Sequence, residues 1–207
     1  MKKSIRLKNS IRNQKKIYLI IIGLAVISLI VGILFLFMLS KENVNYIQKN
    51  IGEYFSNIGS ENSTDLFLNT FLSNIIYILI IWVLGLSVVG FPIIVSILLF
   101  KFFTFGLSIS SIISTYGFSG IIKLFINIFP HEVLFLITLI LVSFYGISFC
   151  IKLFNYLFFR RLINFKEVMN KYTRILIIAI LCVLIVSLYK GYIMPILLKW
   201  CQSSSYF

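Results

Sequence analysis

The residues best suited to chemistry in this chain are a histidine and a glutamate that stand next to each other, His131 and Glu132. A histidine titrates near neutral pH and binds metals, and an adjacent carboxylate can assist proton transfer. The same pair at the start of a helix also has a structural use, because the positive end of the helix dipole favours a carboxylate. A proton relay, a ligand pair and a helix cap all fit this pair, and the cap is the simplest of the three.

Four other polar residues lie within or beside long apolar segments: Asn69, Asn74, Lys101 and Lys190. A lysine in hydrocarbon is costly, so it normally faces a cavity, contacts a partner or extends towards the interface. The two asparagines are expected to form hydrogen bonds between helices rather than a substrate site. We also predict that Glu132 and Lys190 face each other or share one outer polar layer with His131, because opposite charges attract strongly only at short range.

Familiar catalytic motifs are absent from the sequence, which has no phosphate-binding loop, no HExxH, no nucleophile elbow and no CxxC. Paired carboxylates for general acid–base catalysis are also missing from its apolar segments. The three cysteines, Cys150, Cys182 and Cys201, have no paired spacing and indicate neither a metal nor a redox site. We therefore expect a protein that is not an enzyme and that has no cofactor.

The composition is that of a membrane protein. The chain is 60% hydrophobic and 12% charged, and its mean hydropathy is +1.03. Its net charge is +13, of which residues 1–16 and the region 152–174 together carry +12. Basic segments that flank membrane spans stay on the cytoplasmic side and contact anionic lipid headgroups. Orientation in the membrane thus accounts for the charge, and membrane lipid rather than nucleic acid is the expected partner.

An uncharged run from Leu66 to Phe100 is too long for a single span. As a helix its 35 residues would measure about 52 Å, against a hydrocarbon core of about 30 Å. Glycine and proline at Gly90-Phe91-Pro92 predict a hairpin there, which places Lys101 near the middle of the following span. In the alternative register one long kinked helix turns at Lys101, and the overall topology is the same.

Charge and hydropathy together predict one all-α membrane domain, a polytopic integral membrane helix bundle with about five transmembrane helices. The N-terminus is expected inside the cell and the C-terminus outside. The predicted spans are residues 17–40, 68–89, 92–115, 133–153 and 175–189. The remaining segments are a basic cytoplasmic N-terminus (1–16), an outer amphipathic helix (41–65), an interfacial or re-entrant segment (117–132), a basic cytoplasmic loop (154–174) and an outer tail (190–207).

The outer segment 41–65 has apolar residues at spacings of three and four, which predict an amphipathic helix that ends near Gly59. Its apolar stripe must lie on the membrane, on the bundle or on a partner. A partner outside the membrane could receive this stripe in a groove. The candidate partner-binding residues are Ile47, Ile51, Tyr54 and Ile58.

Two more stripes recur at intervals of four residues. Small residues in the third span predict close approach by another helix, and they are Gly106, Ser110 and Ser114. A polar stripe beyond that span predicts a short helix that lies in the interface or dips into the membrane and ends at Pro130. Its members are Ser119, Lys123 and Asn127.

Four stretches in a fixed order resemble one known family. They are residues 65–74 (DLFLNTFLSN), 82–92 (WVLGLSVVGFP), 129–132 (FPHE) and 189–195 (YKGYIMP). Together with the basic N-terminus and the length, they are similar to stage II sporulation protein M, a membrane component of the engulfment machinery of endospore-forming bacteria. The stretch that begins at Trp82 is the most specific part. Many members of the wider family have an acid where this chain has Lys190.

The resemblance implies a mother-cell membrane protein at the sporulation septum. Such a protein recruits and anchors two peptidoglycan-degrading partners, an amidase/endopeptidase and a lytic transglycosylase. Their hydrolysis thins the septal wall, so that the mother-cell membrane can engulf the forespore, while the anchor itself is not catalytic. A homo-oligomer is also compatible with the sequence.

A second hypothesis comes from another functional class, a permease-like subunit of a transporter. Lys101, His131 and Glu132 would then line the pathway. A conducting path should open a polar cavity around Lys101, whereas a scaffold should pack that region against small residues.

Overall fold

The computed structural model describes residues 2–57, 62–159 and 164–197, and in this part of the chain all regular structure is helical. Seven α-helices are followed by a π-helical turn, Tyr189–Ile193. The helices are α1 (Lys2–Met38), α2 (Lys41–Asn57), α3 (Ser63–Gly85), α4 (Gly90–Tyr116), α5 (Phe118–Asn127), α6 (Phe129–Phe159) and α7 (Phe165–Leu188).

Five segments are long and apolar enough to cross a membrane, which agrees with the predicted all-α bundle. They are Lys16–Met38, Ser63–Gly85, Gly90–Tyr116, Phe129–Phe159 and Phe165–Leu197. The α6 segment is the central one. In its most apolar stretch 61% of the residues are buried, against 22–33% in the other four segments. Helix α5 is also apolar, but its 10 residues are too few to cross a membrane.

The hairpin between α3 and α4 lies four residues before the predicted position, at residues 86–89 instead of 90–92. The amides of Leu86 and Ser87 donate to the carbonyls of Val83 and Leu84, both at 3.0 Å, and close the turn. Pro92 falls in the first turn of α4, where its missing N–H would have had no partner in the helix. The alternative register is wrong, because Lys101 lies inside α4 and not at a turn.

Helix α4 packs closely against α1 through small residues on both helices. A Cβ on Gly32 would overlap the carbonyl oxygen of Phe103, and a Cβ on Gly106 would overlap that of Leu29. The Ser28 hydroxyl also donates to the Leu99 carbonyl at 2.6 Å. The small-residue stripe thus allows close approach at Gly106, as predicted, and the approaching helix is α1.

Helices α2 and α5 cover the same end of α4. Buried Phe55 packs with Ile112 and Leu124, and Ile51 packs against this cluster. The apolar stripe of α2 is therefore partly used within the chain itself, at Ile51 and Phe55. The predicted stripe residue Ile58 and the predicted helix end at Gly59 lie outside the described residues.

The C-terminal half of α4 is also linked to α2 and α5 by polar contacts. Gln48 donates its side-chain amide to the Ser114 hydroxyl at 3.2 Å. The Lys123 ammonium lies 3.4 Å from the centre of the Tyr116 ring. Burial lowers the pKa of Lys123 from its ordinary value. These contacts hold α5 against the bundle along the polar stripe that the sequence indicates.

Pro130 and Pro195, the two prolines in the second half of the chain, lie inside helical segments and do not end them. Helix α5 ends at Asn127, and Pro130 is the second residue of α6, where a helix tolerates proline. Pro195 lies in a helical stretch that continues to residue 197. The π-helical turn directly before it already interrupts the α-helical bonding pattern, which removes the usual conflict with proline.

Candidate functional site

The bundle has two ends that differ in character. At the His131 end α3 and α6 begin, α4 ends and the π-helical turn follows α7, whereas at the Gly85 end α3 ends and α7 begins. The N-terminal part of α1 belongs to the Gly85 end, because Tyr18 contacts Phe144 there with ring centres 5.5 Å apart.

A polar cavity of about 230 Å³ lies at the His131 end. We call it the polar cavity. It brings together Lys101 from α4, His131 and Glu132 from the first turn of α6, and Lys190 from the π-helical turn. Glu132 and Lys190 therefore share one polar layer with His131, as the sequence predicts. The other lining residues are Tyr54, Thr104, Phe105, Ser108 and Ile128.

Lys101 reaches this cavity from well inside the bundle. It is the twelfth residue of α4, so its Cα lies about 16 Å from the start of that helix. The ammonium lies 4.0 Å from the centre of the Tyr77 ring and 5.4 Å from that of Phe135. Aromatic faces stabilise a cation in a poorly hydrated place. These two rings thus support the lysine on the side that faces the apolar core.

His131 is almost fully buried, at 3% exposure, and its Nε2 lies 3.8 Å from Oε1 of Glu132. That distance is too long for a hydrogen bond. Glu132 does lie in the first turn of α6, where the helix dipole favours it. A structural role at the helix start and a binding role in the cavity are therefore both available to the pair.

Lys190 is positioned by its two neighbours in the π-helical turn. The Tyr189 hydroxyl donates to the Ile126 carbonyl at 3.0 Å, which fixes the turn to α5. Gly191 packs directly on α3, where an added Cβ would lie 2.9 Å from the Ser63 carbonyl oxygen. The π-helical turn thus holds Lys190 next to α3 and α5.

The two asparagines of α3 lie in different surroundings. Asn74 is buried on the interior face of α3, as expected for a residue between helices, but Asn69 is exposed on the opposite side. Asn69 therefore points away from the bundle that was expected to bind it. Neither asparagine lines the polar cavity.

Thr104 and Ser108 were not predicted as site residues. They follow Lys101 by three and seven residues and so occupy the same face of α4, which is the signal that identifies them. Asn127 was expected in the interface, yet it is fully buried, and its side-chain amide has no partner among the described residues. Burial of an unpartnered amide is costly and is not visible in a local pattern.

Beside the polar cavity lies a second space of about 300 Å³ between α2 and α4. We call it the apolar groove. Ile47, Ile51 and Tyr54 of α2 face Leu107 and Ile112 of α4 across it. Tyr54, Ser108 and Ile128 line both spaces, so the two are adjacent. Three of the four candidate partner-binding residues therefore surround one groove.

At the Gly85 end, aromatic rings and glycines pack together instead. Tyr172 stacks between Trp82 and Phe149, with ring centres 5.8 and 5.1 Å away. Its hydroxyl donates to the Trp82 carbonyl at 3.0 Å. A Cβ on Gly85 would overlap that hydroxyl and lie 3.0 Å from the Gly146 Cα. The Trp82–Gly85 stretch thus packs closely against α6 and α7.

The thiol of Cys150 completes this packing. It lies 3.0 Å from the Ser87 carbonyl oxygen and donates to it, next to the last carbonyls of α3. These carbonyls have no partner within the helix. Cys150 therefore acts as a small buried residue with a weak donor, which is the role expected of a cysteine in a span.

Between the two ends the interior is filled with apolar side chains. The layer below Lys101 consists of almost fully buried residues: Ile78, Ile81, Ile94, Leu98, Leu139 and Val142. A polar cavity around Lys101 is the feature expected of a conducting path. None of the residues of this apolar layer lines the cavity, however, so its lining does not favour the transporter hypothesis.

These features define a class: a multi-pass α-helical membrane protein with a packed end and an end that holds a polar pocket. The family profile described as Stage II sporulation protein M matches residues 19–195, which include every residue that lines the polar cavity. The chain belongs to the stage II sporulation protein M family, and it is a sporulation-related membrane protein. No curated protein and no solved structure matches it.

Proposed function

We propose that the chain is a non-enzymatic membrane anchor that recruits peptidoglycan-degrading proteins to the sporulation septum. It would lie in the mother-cell membrane, and its partners would be an amidase/endopeptidase and a lytic transglycosylase. Their activity would thin the septal wall and allow engulfment of the forespore. The observation that carries the proposal is the family match over residues 19–195, which takes in α2, α5 and nearly all of the five spans.

A recruiter of wall-degrading proteins must present a surface outside the cell, because the wall is there. The charge distribution supports the His131 end as the outer one. Lys16 begins the first span at the Gly85 end, and Lys152, Lys171 and Glu167 interact electrostatically at that same end. Both basic segments thus meet at one end, which the positive-inside rule assigns to the cytoplasm.

Helix α2 is the best docking element on the His131 end. Ile51 packs against the bundle, so the stripe expected to bind a partner is only partly available. The opposite face remains open, with Tyr46 67% exposed and the Lys49–Glu53 pair at the surface. An exposed aromatic ring flanked by charges of both signs is a common contact patch, since tyrosine provides area at little entropic cost.

Co-purification from sporulating cells tests this proposal. The tagged full-length chain should retain both wall-degrading partners, and Tyr46→Ser should lose most of them. Phe118→Ser is the matched control, because Phe118 is also an exposed aromatic residue at the same end but lies on α5. Ile51→Asp should also lose the partners, since a charge placed against the Phe55–Ile112–Leu124 cluster would weaken the attachment of α2 to the bundle.

Two results would count against the proposal. A wild-type chain that retains no wall-degrading protein would refute the recruiter function itself. Equal retention by Tyr46→Ser and the wild type, at equal expression, would move the contact surface away from the exposed face of α2.

A further inference from the structure

The face of α3 that points away from the bundle has a regular repeat. Five exposed residues follow one another there at alternating spacings of three and four: Asn69, Leu72, Ile76, Leu79 and Val83. The residues that α3 buries in the bundle occupy other positions: Leu66, Thr70, Asn74, Ile78, Ile81 and Gly85. Alternation of three and four is the heptad repeat by which two helices pack side by side. Helix α3 therefore has one face for its own bundle and a second face suited to another helix.

The residue types in this repeat are those of a parallel pair of helices. The first position of each heptad, called a, holds Asn69, Ile76 and Val83. The fourth position, called d, holds Leu72 and Leu79. β-Branched residues at a with leucine at d favour two strands, and a single asparagine at a specifies register and oligomeric state. Copies of one chain are inserted in a membrane in the same direction, so their α3 helices are parallel.

Spacing alone does not make an interface in a membrane, because lipid chains are as apolar as leucine. Helix α7 provides the comparison, since it exposes a stripe of the same spacing that is apolar throughout: Ile178, Leu181, Ile185 and Leu188. The stripe of α3 differs from it by Asn69. Hydrocarbon offers an amide no hydrogen-bond partner, so an asparagine on this surface favours the approach of another polar group.

Asn69 lies below the membrane boundary. It is the seventh residue of α3, whose 23 residues measure about 34 Å against a hydrocarbon core of about 30 Å. With the span centred, the Cα of Asn69 is about 7 Å inside the hydrocarbon. Asn155, by comparison, is partly exposed on α6 and donates its amide to the Ile151 carbonyl of its own helix at 2.8 Å. A carboxamide both donates and accepts, so two of them satisfy each other across a two-fold axis.

We propose that α3 is a dimer interface, where two copies of this chain pair along α3 and their Asn69 amides form hydrogen bonds with each other. The pair is parallel, and its two-fold axis runs along the membrane normal. Side chains at position a, such as Ile76, then face their own counterparts. Asp65 occupies the next d position towards the start of α3, where two like charges face each other and oppose the dimer. The interface does not depend on the recruiter function.

Energy transfer between donor-labelled and acceptor-labelled full-length chains in liposomes tests the dimer, measured as lipid is added. Asn69→Leu should raise the dissociation constant about threefold to thirtyfold, the range for one interhelical hydrogen bond in a membrane. Asn155→Leu is the matched control and should leave the constant unchanged, because that amide bonds to its own helix. Asn69→Gln keeps a carboxamide and should retain most of the pairing.

A second variant should have an effect of opposite sign. Asp65→Ala removes the facing carboxylates without adding an amide, so it should lower the dissociation constant, by up to about fivefold for charges that repel in water. A substitution that merely disturbs α3 would weaken the pair in both cases. A dissociation constant that rises in Asp65→Ala would therefore contradict the parallel register.

Oxidative cross-linking in cell membranes locates the interface. Ile76→Cys should form a disulfide-linked dimer, because position a faces its own counterpart. Ile185→Cys should stay at the background of the unmodified chain, although Ile185 is as exposed as Ile76, at 58% and 52%. A chain that stays monomeric at every protein-to-lipid ratio would overturn the proposal. So would equal dissociation constants for Asn69→Leu and Asn155→Leu, or cross-linking through Ile185→Cys in place of Ile76→Cys.

Discussion

The two ends of the bundle use their polar and aromatic residues in different ways. At the Gly85 end Tyr172 stacks on two aromatic rings, and its hydroxyl donates to the carbonyl of Trp82. At the His131 end Lys101, His131, Glu132 and Lys190 line the polar cavity instead. Stacked rings fill the first end, whereas the second end encloses a polar space.

The most specific part of the family resemblance lies at the Gly85 end, where its residues serve packing. Residues 82–92 look like a signature, and in the structure Trp82 and Gly85 serve packing while Gly90 lies against the Leu84 carbonyl. A stretch can identify a family because its geometry tolerates few alternatives. The two lysines that line the polar cavity, Lys101 and Lys190, lie outside this stretch.

The largest expected effect concerns which end faces outwards. A reporter that is active only outside the cytoplasm should be active after Lys49 or Ser204 and silent after Arg12 or Phe165. The expectation follows from the +12 net charge of residues 1–16 and 152–174, which keeps the Gly85 end inside. An active fusion after Phe165 would reverse the assignment of the two ends and remove the outer docking surface.

A second prediction tests the packed end. Gly85→Leu should lower the stability of the bundle by about 1–3 kcal/mol or more, because overpacking forces backbone to move. Thermal unfolding in detergent should then occur about 2–12 °C lower, on the scale known for chains of this size. Gly23→Leu is the matched control, since Gly23 is also a helical glycine in a span but has open space around it. Equal unfolding temperatures would refute the packing role of Gly85.

Sequence reasoning predicted the fold well where the physics is local. Span length and charge position depend on composition alone, so the five spans and the two basic segments could be predicted. The hairpin was placed four residues too late because Pro92 fits a turn and also the first turn of a helix. The hydrogen bonds of the Leu86 and Ser87 amides, together with the close contact between Gly90 and the Leu84 carbonyl, place the turn at residues 86–89.

The candidate site was predicted less completely, because its residues come from distant parts of the chain. Glu132 and Lys190 could be placed in one outer layer from topology. The side-chain positions of Lys101 and Asn127 depend on which helices surround them, and Asn127 was expected in the interface. The apolar stripe of α2 could face the membrane, the bundle or a partner. The periodicity of the sequence does not distinguish between these three.

The smallest expected effect tests whether the His131 end contains polar groups without partners. Asn127 is fully buried, and both polar atoms of its side chain have no hydrogen-bond partner among the described residues. Asn127→Leu keeps the shape and removes two groups that are costly to bury, so stability should stay equal or rise by about 1 kcal/mol. Asn127→Asp in the same position should be clearly destabilising, because it adds a buried charge.

Thermal unfolding of the two Asn127 variants in detergent checks this expectation. A clear loss of stability in Asn127→Leu would mean that the amide has a partner and that the polar layer of Lys101 and His131 extends to α5. Unchanged or higher stability would mean that the unpartnered amide is a local cost of burying α5.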